Sequence, residues 1–388
     1  MSKLQLNPEF HAAEFMRRHW QQEPVFLPQL VPDFRDALSA EELAGLACEE
    51  LAESRIVRNS EKRDWQLQNG PFLESDFTQL PSTNWTLLVQ AVDQWVAEVA
   101  DIRSLFDFIP NWRIDDVMVS FAAPGGGVGP HYDYYDVFLL QGAGQRSWSV
   151  GERCESSAEL IQGTDLRLLK DFTESARYEL RAGDALYIPP RYAHWGVANS
   201  DSLCYSIGFR APSMAEMIEG FSDFIIRQQD PAERYEDGAI ANDSRSGEII
   251  PSQLSASFEK LSAAFSEKES FAAWFGCYVS QAKYPELIEP LERKVALDDL
   301  LARLDSGQTL SKNPSSRFAF IESRSSESLL FFVDGAMAVF PIALTGQIAA
   351  LCDAADISRE TPAGLCDSSE LVELLRRLLN QGSLLLTD

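Results

Sequence analysis

His131 and Asp133 stand two residues apart in the run GPHYDYYDVFLLQGAGQRSW, Gly129 to Trp148. Two imidazoles and one carboxylate can hold an octahedral ferrous ion on a single face, leaving three positions open for a cosubstrate and dioxygen. On an extended strand, residues two apart point to the same side of the sheet, so His131 and Asp133 can meet one metal. The chain has four histidines. His11 and His19 fall in an amino-terminal region that reads as helical, which leaves His194, in GDALYIPPRYAHWG, as the candidate third ligand. There Gly183-Asp184 read as a turn, Ala185 to Ile188 as a strand, and Pro189-Pro190 as its end, because proline cannot donate to a ladder. A barrel sets distant strands side by side, so the separation of 63 positions from His131 to His194 is no obstacle.

Arg146 follows His131 by fifteen residues, on a strand opening with GAGQRSW. A guanidinium fork suits the far carboxylate of a dicarboxylic cosubstrate whose near carboxylate and keto oxygen chelate iron. Tyr134, Tyr135 and Asp136 come directly after the metal motif and are candidates for shaping a substrate channel. The run Gly125-Gly126-Gly127 lacks the spacing of a phosphate cradle and opens no helix; it reads as a flexible lip over the pocket.

The elements that must position these groups change character along the chain. Residues 1 to about 100 read as mainly helical: LSAEELAGLACEELAESRI (Leu38 to Ile56) repeats apolar residues at three and four and starts at Ser39, and NWTLLVQAVDQWVAEVADI repeats the pattern. From Trp112 short segments rich in β-formers, such as DDVMVSFAAP, YDVFLLQG, RSWSVG and SLCYSIGFRAP, alternate with Gly, Pro and Asp turns, the pattern of an antiparallel barrel or sandwich. Helix returns at Pro212, with a Ser213/Glu216 capping box and Met214, Met217, Ile218, Phe221 and Ile225 on one face. After a polar loop, roughly Gln228 to Glu248, SQLSASFEKLSAAF and EKESFAAWFGCYVSQAK read as helices, the second carrying Phe271, Trp274, Phe275 and Tyr278. These aromatic faces could cover the barrel or pair with a second copy of the chain. From about Pro285 come a helix (LDDLLARLDSG), a strand (RFAFIE), a hairpin at Val333-Asp334-Gly335 and a closing helix (ELVELLRRLLN), a winged-helix-like combination.

The 388 residues suffice for two or three packed units, and the formal net charge of −26 repels nucleic-acid phosphate while attracting a basic partner. No basic stretch followed by an apolar one marks a secretory signal, so the cytosol is the expected compartment. The six cysteines are scattered without a CxxC and read as buried free thiols. The apolar run from Ala336 to Cys352 is broken by Pro341, Gly346 and Gln347 and reads as strand, turn and core helix rather than a membrane span.

With HWQQEPVFL, NWTLLVQAV, PNWRIDDVMVSF, PGGGVGPHYDYYDVFLLQGAGQRSW, GDALYIPPRYAHWG and YSIGFRAP, the chain resembles the JmjC-type, cupin-fold oxygenases that depend on 2-oxoglutarate and iron. The resemblance is strongest to the bacterial ribosomal oxygenases that hydroxylate an arginine of large-subunit ribosomal protein sixteen. It spans nearly the whole chain, with specific motifs in the barrel and only an architectural match in the tail. It implies an α+β fold: a double-stranded β-helix (cupin, or jelly-roll) core, a helical amino-terminal region, a helical dimerisation segment and a winged-helix-like carboxy-terminal domain. The expected boundaries are 1–211 for the catalytic domain (helical region 1–100, barrel about 112–211), 212–285 for dimerisation and 286–388 for the winged helix. The resemblance further implies that His131, Asp133 and His194 bind Fe(II), that Arg146 pairs with the distal carboxylate of 2-oxoglutarate, and that Ser120 helps hold that cosubstrate. Arginine at 146, where many relatives outside the bacterial group have lysine, agrees with the bacterial subgroup. The expected partner is a basic ribosomal protein, with a homodimer and without direct nucleic-acid or membrane binding. Two other readings stay open at this point. A cupin-type ligand-sensing regulator would need a basic recognition face in the tail, which DDLLARLDSG and CDAADISRE do not offer, and a metal-dependent isomerase would not need Arg146.

Overall fold

Alternation along one strand, Ile114–Ala122, organises the amino-terminal half: Val117 and Val119 join a core of helical residues on one side, while Met118 and Ser120 face the other way. The computed structural model describes residues 4–59, 65–236, 245–323, 327–354, 356–361, 364–366 and 368–387. Two compact units divide the chain, Met1–Ala211 and Pro212–Asp388.

In the first unit the strands are β1 (Val25–Leu27), β2 (Ser54–Asn59), β3 (Trp65–Asn69), β4 (Trp85–Val89), β5 (Ile114–Ala122), β6 (Val137–Gln141), β7 (Gln145–Arg153), β8 (Glu174–Arg181), β9 (Ala185–Ile188), β10 (Tyr192–Ala198) and β11 (Ser202–Phe209). Among the described residues they form an antiparallel sheet in the order β1-β9-β6-β11-β5-β4-β2-β3 and a smaller one in the order β10-β7-β8. Trp148 and Val150 of the small sheet share an apolar cluster with Val137, Leu139, Leu186 and Cys204 of the large one, so the two sheets close on each other as a double-stranded β-helix. The helices α1 (Ala12–Arg18), α2 (Ala40–Leu46), α3 (Glu74–Thr78) and α4 (Ala97–Ser104) accompany the large sheet. Phe15, Leu43, Val99 and Ile102 from these helices bury against Leu87, Val89, Val117, Val119 and Phe138.

The region 1–100 is therefore not mainly helical, as the sequence suggested. Four of its segments are strands of the large sheet, including Trp85–Val89 inside the expected helix NWTLLVQAV and Ser54–Asn59 at the end of LACEELAESRI. Both are covered on both faces. Leu87 packs toward the helices and Leu88 into the barrel, and Ile56 and Val57 divide in the same way. A strand buried twice loses the alternation that would have revealed it. Helix α2 starts after Ser39 as expected, and Glu42 completes a capping box there.

The second unit contains α5 (Met214–Gln228), α6 (Pro251–Phe265), α7 (Lys268–Val279), α8 (Leu297–Asp305), β12 (Thr309–Lys312), β13 (Phe318–Ser323), β14 (Ser328–Val333), β15 (Ala336–Pro341), α9 (Thr345–Asp353), β16 (Asp356–Ile357), α10 (Ser369–Gln381) and β17 (Leu384–Thr387). The hairpin at Asp334-Gly335 and the strand, turn and helix of Ala336–Cys352 stand where the sequence put them. Ser213 accepts from the Glu216 amide at 3.1 Å and the Glu216 carboxylate accepts from the Ser213 amide at 2.6 Å, which caps α5. The five apolar residues expected on one face of α5 divide: Phe221 and Ile225 are buried with Trp274, Met217 packs beside them, and Met214 and Ile218 are exposed. Of the polar loop after α5, residues 237–244 lie outside the described residues. Among those described, no helix is long and apolar enough to cross a membrane.

Candidate active site

His131 and His194 meet through the backbone first. The amide of each donates to the carbonyl of the other, at 3.0 and 2.8 Å, an antiparallel bridge that brings their rings to 4.3 Å between centroids. His194 lies on β10, while His131 occupies this isolated bridge and Asp133 the loop beyond it, so the expected regular strand through His-x-Asp is absent. The loop is held instead by particular contacts. Asp133 O accepts from the Arg191 amide at 2.6 Å, and Arg191 takes a left-handed φ of 73° to present it.

The side chains converge as the spacing required. Asp133 Oδ2 lies 3.9 Å from His131 Nε2 and 3.6 Å from His194 Nε2, and one ligand atom from each residue falls within 4.8 Å of the others. His131 Nδ1 is 2.9 Å from Gly129 O and His194 Nδ1 is 3.0 Å from Tyr192 O. With each Nδ1 proton donated to a carbonyl, both Nε2 lone pairs face the shared space, as a metal-binding histidine requires. Burial, followed by the neighbouring His131, pushes His194 down to about 4, so its imidazole is neutral over the physiological range. Two imidazoles and one carboxylate gathered in this way fit Fe(II) with coordination positions to spare.

Arg146 Nε donates to Ser202 Oγ at 2.9 Å, Nη1 to Ser120 Oγ at 2.9 Å, and Nη2 to Ser120 O and Ser202 O at 3.0 Å each. Four of the five guanidinium N–H groups are thereby used, so the free fork expected for a carboxylate is already occupied by two serines. The side chain is buried, burial pulls its pKa below the usual arginine value, and among the described residues no carboxylate pairs with it. A buried cation held only by neutral acceptors is a place where an anion is stabilised, which suits the distal carboxylate of 2-oxoglutarate.

Trp148 follows Arg146 on the same face of β7, its ring centroid 6.1 Å from that of His194. Its indole lies over Gly196, where an added Cβ would approach the ring to 2.7 Å. A Cβ on Gly127 would in turn come within 2.2 Å of Gly196 O, and one on Gly126 within 2.1 Å of Trp85 O. Gly125 and Gly126 are also bonded to Ala198. The glycine run is therefore a tightly packed turn against β10 rather than a flexible lip.

Asp136, a candidate for the substrate channel, is fully buried. Its carboxylate accepts from Tyr187 OH at 2.6 Å, Gln21 Nε2 at 3.0 Å and Arg113 Nη2 at 3.1 Å, and it anchors the end of the metal loop. Tyr134 and Tyr135 are exposed, and Arg167 sits over the Tyr134 ring. Sequence reasoning missed Ser202, whose only signal is a small polar residue where a turn meets a barrel strand. It also missed the pairing of Trp148 with Gly196, which no sequence period marks.

A JmjC domain is matched over residues 101–217 and a ROXA-like winged helix over residues 259–385. The chain is 38% identical to the ribosomal protein uL16 3-hydroxylase of Escherichia coli over 297 residues, 76% of this chain and 79% of that protein. It is 32% identical to a probable ribosomal oxygenase of Haemophilus influenzae over 324 residues, 80% of this chain and 78% of the other. Among solved structures, E. coli YcfD superposes with a TM-score of 0.89 at 33% identity, over 99% of this chain and 100% of that one. YcfD in complex with cobalt and 2-oxoglutarate superposes with a TM-score of 0.87 at 32% identity and the same coverage.

Proposed function

This chain belongs to the JmjC-type ribosomal oxygenases, and from that premise we propose that it hydroxylates a side-chain carbon, that of an arginine, in a basic ribosomal protein. It is a 2-oxoglutarate and Fe(II) dependent oxygenase. Its alternatives as a ligand sensor or an isomerase leave the buried, unpaired charge of Arg146 unused, and that charge beside a two-histidine, one-carboxylate site is the observation that carries the reading. When bound, iron and 2-oxoglutarate supply the dioxygen chemistry: one oxygen atom enters the target C–H bond as a hydroxyl, and the other goes to succinate as 2-oxoglutarate loses carbon dioxide.

The chain's own residues arrange the partners of that reaction. His131, Asp133 and His194 would hold the metal through Nε2, a carboxylate oxygen and Nε2. The Gly129 and Tyr192 carbonyls fix the two rings in the tautomer that leaves those nitrogens free. Arg146 and Ser120 would hold the distal carboxylate on the barrel's inner face, where Arg146, Ser120, Trp148 and His194 are buried, while His131 and Asp133 stay partly exposed. The chain's net charge of −26 suits an arginine-rich substrate, steered by charge and weakened by salt. The uL16 3-hydroxylase activity of the E. coli relative supports a ribosomal protein as substrate. The cytoplasm, where ribosomes are assembled, is the compartment this substrate requires.

The functional division proposed is a catalytic domain over 1–211, a dimerisation segment over 212–285 and a winged-helix-like domain over 286–388. A homodimer is supported by α6, which buries none of its residues: Leu254, Phe258, Leu261 and Phe265 form an exposed stripe at helical spacing, with Met214 and Ile218 exposed on α5. Such a stripe fits an isologous two-fold contact. The reading is tested by mass spectrometry of ribosomal proteins incubated with the enzyme, Fe(II) and 2-oxoglutarate. The expected result is the gain of one oxygen on an arginine, lost on omission of 2-oxoglutarate. Cosubstrate turnover with no modified ribosomal protein would overturn the substrate assignment.

A further inference from the structure

The hydrogen bonds around Arg146 are asymmetric in a way that decides how a carboxylate can reach it. Ser202 takes one edge of the guanidinium, with its Oγ on Nε and its carbonyl on Nη2, and Ser120 takes the end, with its carbonyl on Nη2 and its Oγ on Nη1. The two serines come from different strands, Ser120 from β5 and Ser202 from the start of β11, and both are buried. One Nη1 N–H stays open among the described residues. The two hydroxyls accept from the guanidinium, so their own protons are directed elsewhere, and that of Ser120 has only a long 3.5 Å contact with Cys204 O.

We propose that Ser202 is a positioning residue for the cosubstrate, fixing the Arg146 guanidinium so that its remaining Nη1 N–H and the Ser120 hydroxyl, rather than a free guanidinium fork, receive the distal carboxylate. This rests on the cosubstrate reading above and deepens it. The carbonyl of residue 202 survives any substitution there, so the hydroxyl is the removable part of the clamp. Without it, Nε–H is buried with no acceptor, and the guanidinium turns to find one. The fixed planar cation is what distinguishes arginine from lysine at this place: an ammonium has three donors and cannot meet all four serine acceptors.

The test compares binding of 2-oxoglutarate with that of 2-oxopentanoate, a 2-oxo acid of the same length lacking the distal carboxylate, to the cobalt(II)-loaded full-length protein by calorimetry. In Ser202→Ala the preference for 2-oxoglutarate is expected to fall by about tenfold, the scale of one hydrogen bond to a charged group, with 2-oxopentanoate and cobalt(II) affinities unchanged. Ser202→Cys, close in volume but a weak acceptor, reads the same ratio if alanine gives no folded protein. Equal weakening of both acids would mean a merely structural serine, and an unchanged ratio would mean no role in recognition; either overturns the proposal. Arg146→Ala separates the two levels of the argument. Loss of the preference there with retention in Ser202→Ala sinks only the clamp, whereas retention in Arg146→Ala sinks the cosubstrate site itself. In the double variant the serine change adds nothing, because Ser202 acts through Arg146.

Discussion

Asp136→Ala removes the acceptor on which three donors converge beneath the metal loop. Asp136 is fully buried and the Arg113 side chain retains only 14% of its exposure, so the alanine variant strands a cation that is enclosed between the Trp20 and Trp112 rings at 5.4 Å from each. Removing one partner of a buried ion pair costs about 3–5 kcal/mol, a range that already includes the stranded charge. For a unit of this size each kcal/mol lowers the melting temperature by roughly 2–4 °C, which gives a drop of about 6–20 °C. The assay is thermal and urea unfolding of the full-length protein, followed by the transition of the catalytic unit, with a double-mutant cycle on Arg113→Met. The pair should be less destabilised than the sum of the single variants, because Arg113→Met takes away the charge that Asp136→Ala would strand. A loss below about 1 kcal/mol, or a raised KM for the protein substrate in an Asp136→Ala variant of normal stability, would refute the anchor and return Asp136 to the substrate channel.

His131→Ala, Asp133→Ala and His194→Ala should each abolish turnover and weaken cobalt(II) binding, read from its absorption spectrum, while circular dichroism stays native; full activity in a folded variant would remove that residue from the ligand set. Arg146→Ala should raise the KM for 2-oxoglutarate at least tenfold and leave cobalt(II) affinity alone, and Arg146→Lys should recover only part, since the charge returns without the serine contacts. If the proposed α6 contact forms, wild type is a dimer by light scattering and Phe258→Asp or Leu261→Asp a folded monomer; a wild type that is already monomeric contradicts the proposed α6 contact. Trp274→Asp, by contrast, should unfold its unit, because Trp274 is buried within it and the charge would have no partner.

The chemistry was easier to read from the sequence than the scaffold that aligns it. His131, Asp133, His194 and Arg146 stand out because few residue types bind metals or carboxylates, and the strand segments around them are short and punctuated by Gly and Pro. Ser202 was invisible because a serine at a turn has many local uses, and its role exists only once β5, β7 and β11 meet around the guanidinium. The amino-terminal strands were misread where burial on both faces erased the two-residue period, as at Leu87 and Leu88. Gly125-Gly126-Gly127 looked mobile because glycine is permissive; what constrains it is the approach of the Trp85 and Gly196 carbonyls, contributed from segments far away in sequence.

The stack of Trp148 on Gly196 also limits the routes by which this barrel wall can diverge. A side chain at 196 has no room while the indole stays in place, and a smaller residue at 148 opens a cavity while 196 remains glycine. Each first step therefore loses stability, and the compensated pair is reached only by crossing that loss. Gly127 is constrained separately, because the backbone carbonyl of 196 leaves no space for a Cβ there whichever side chain 196 carries. Descendants of this sequence should keep Gly127 and exchange 148 and 196 as a pair, so that the history of that pair is written as linked substitutions rather than independent ones.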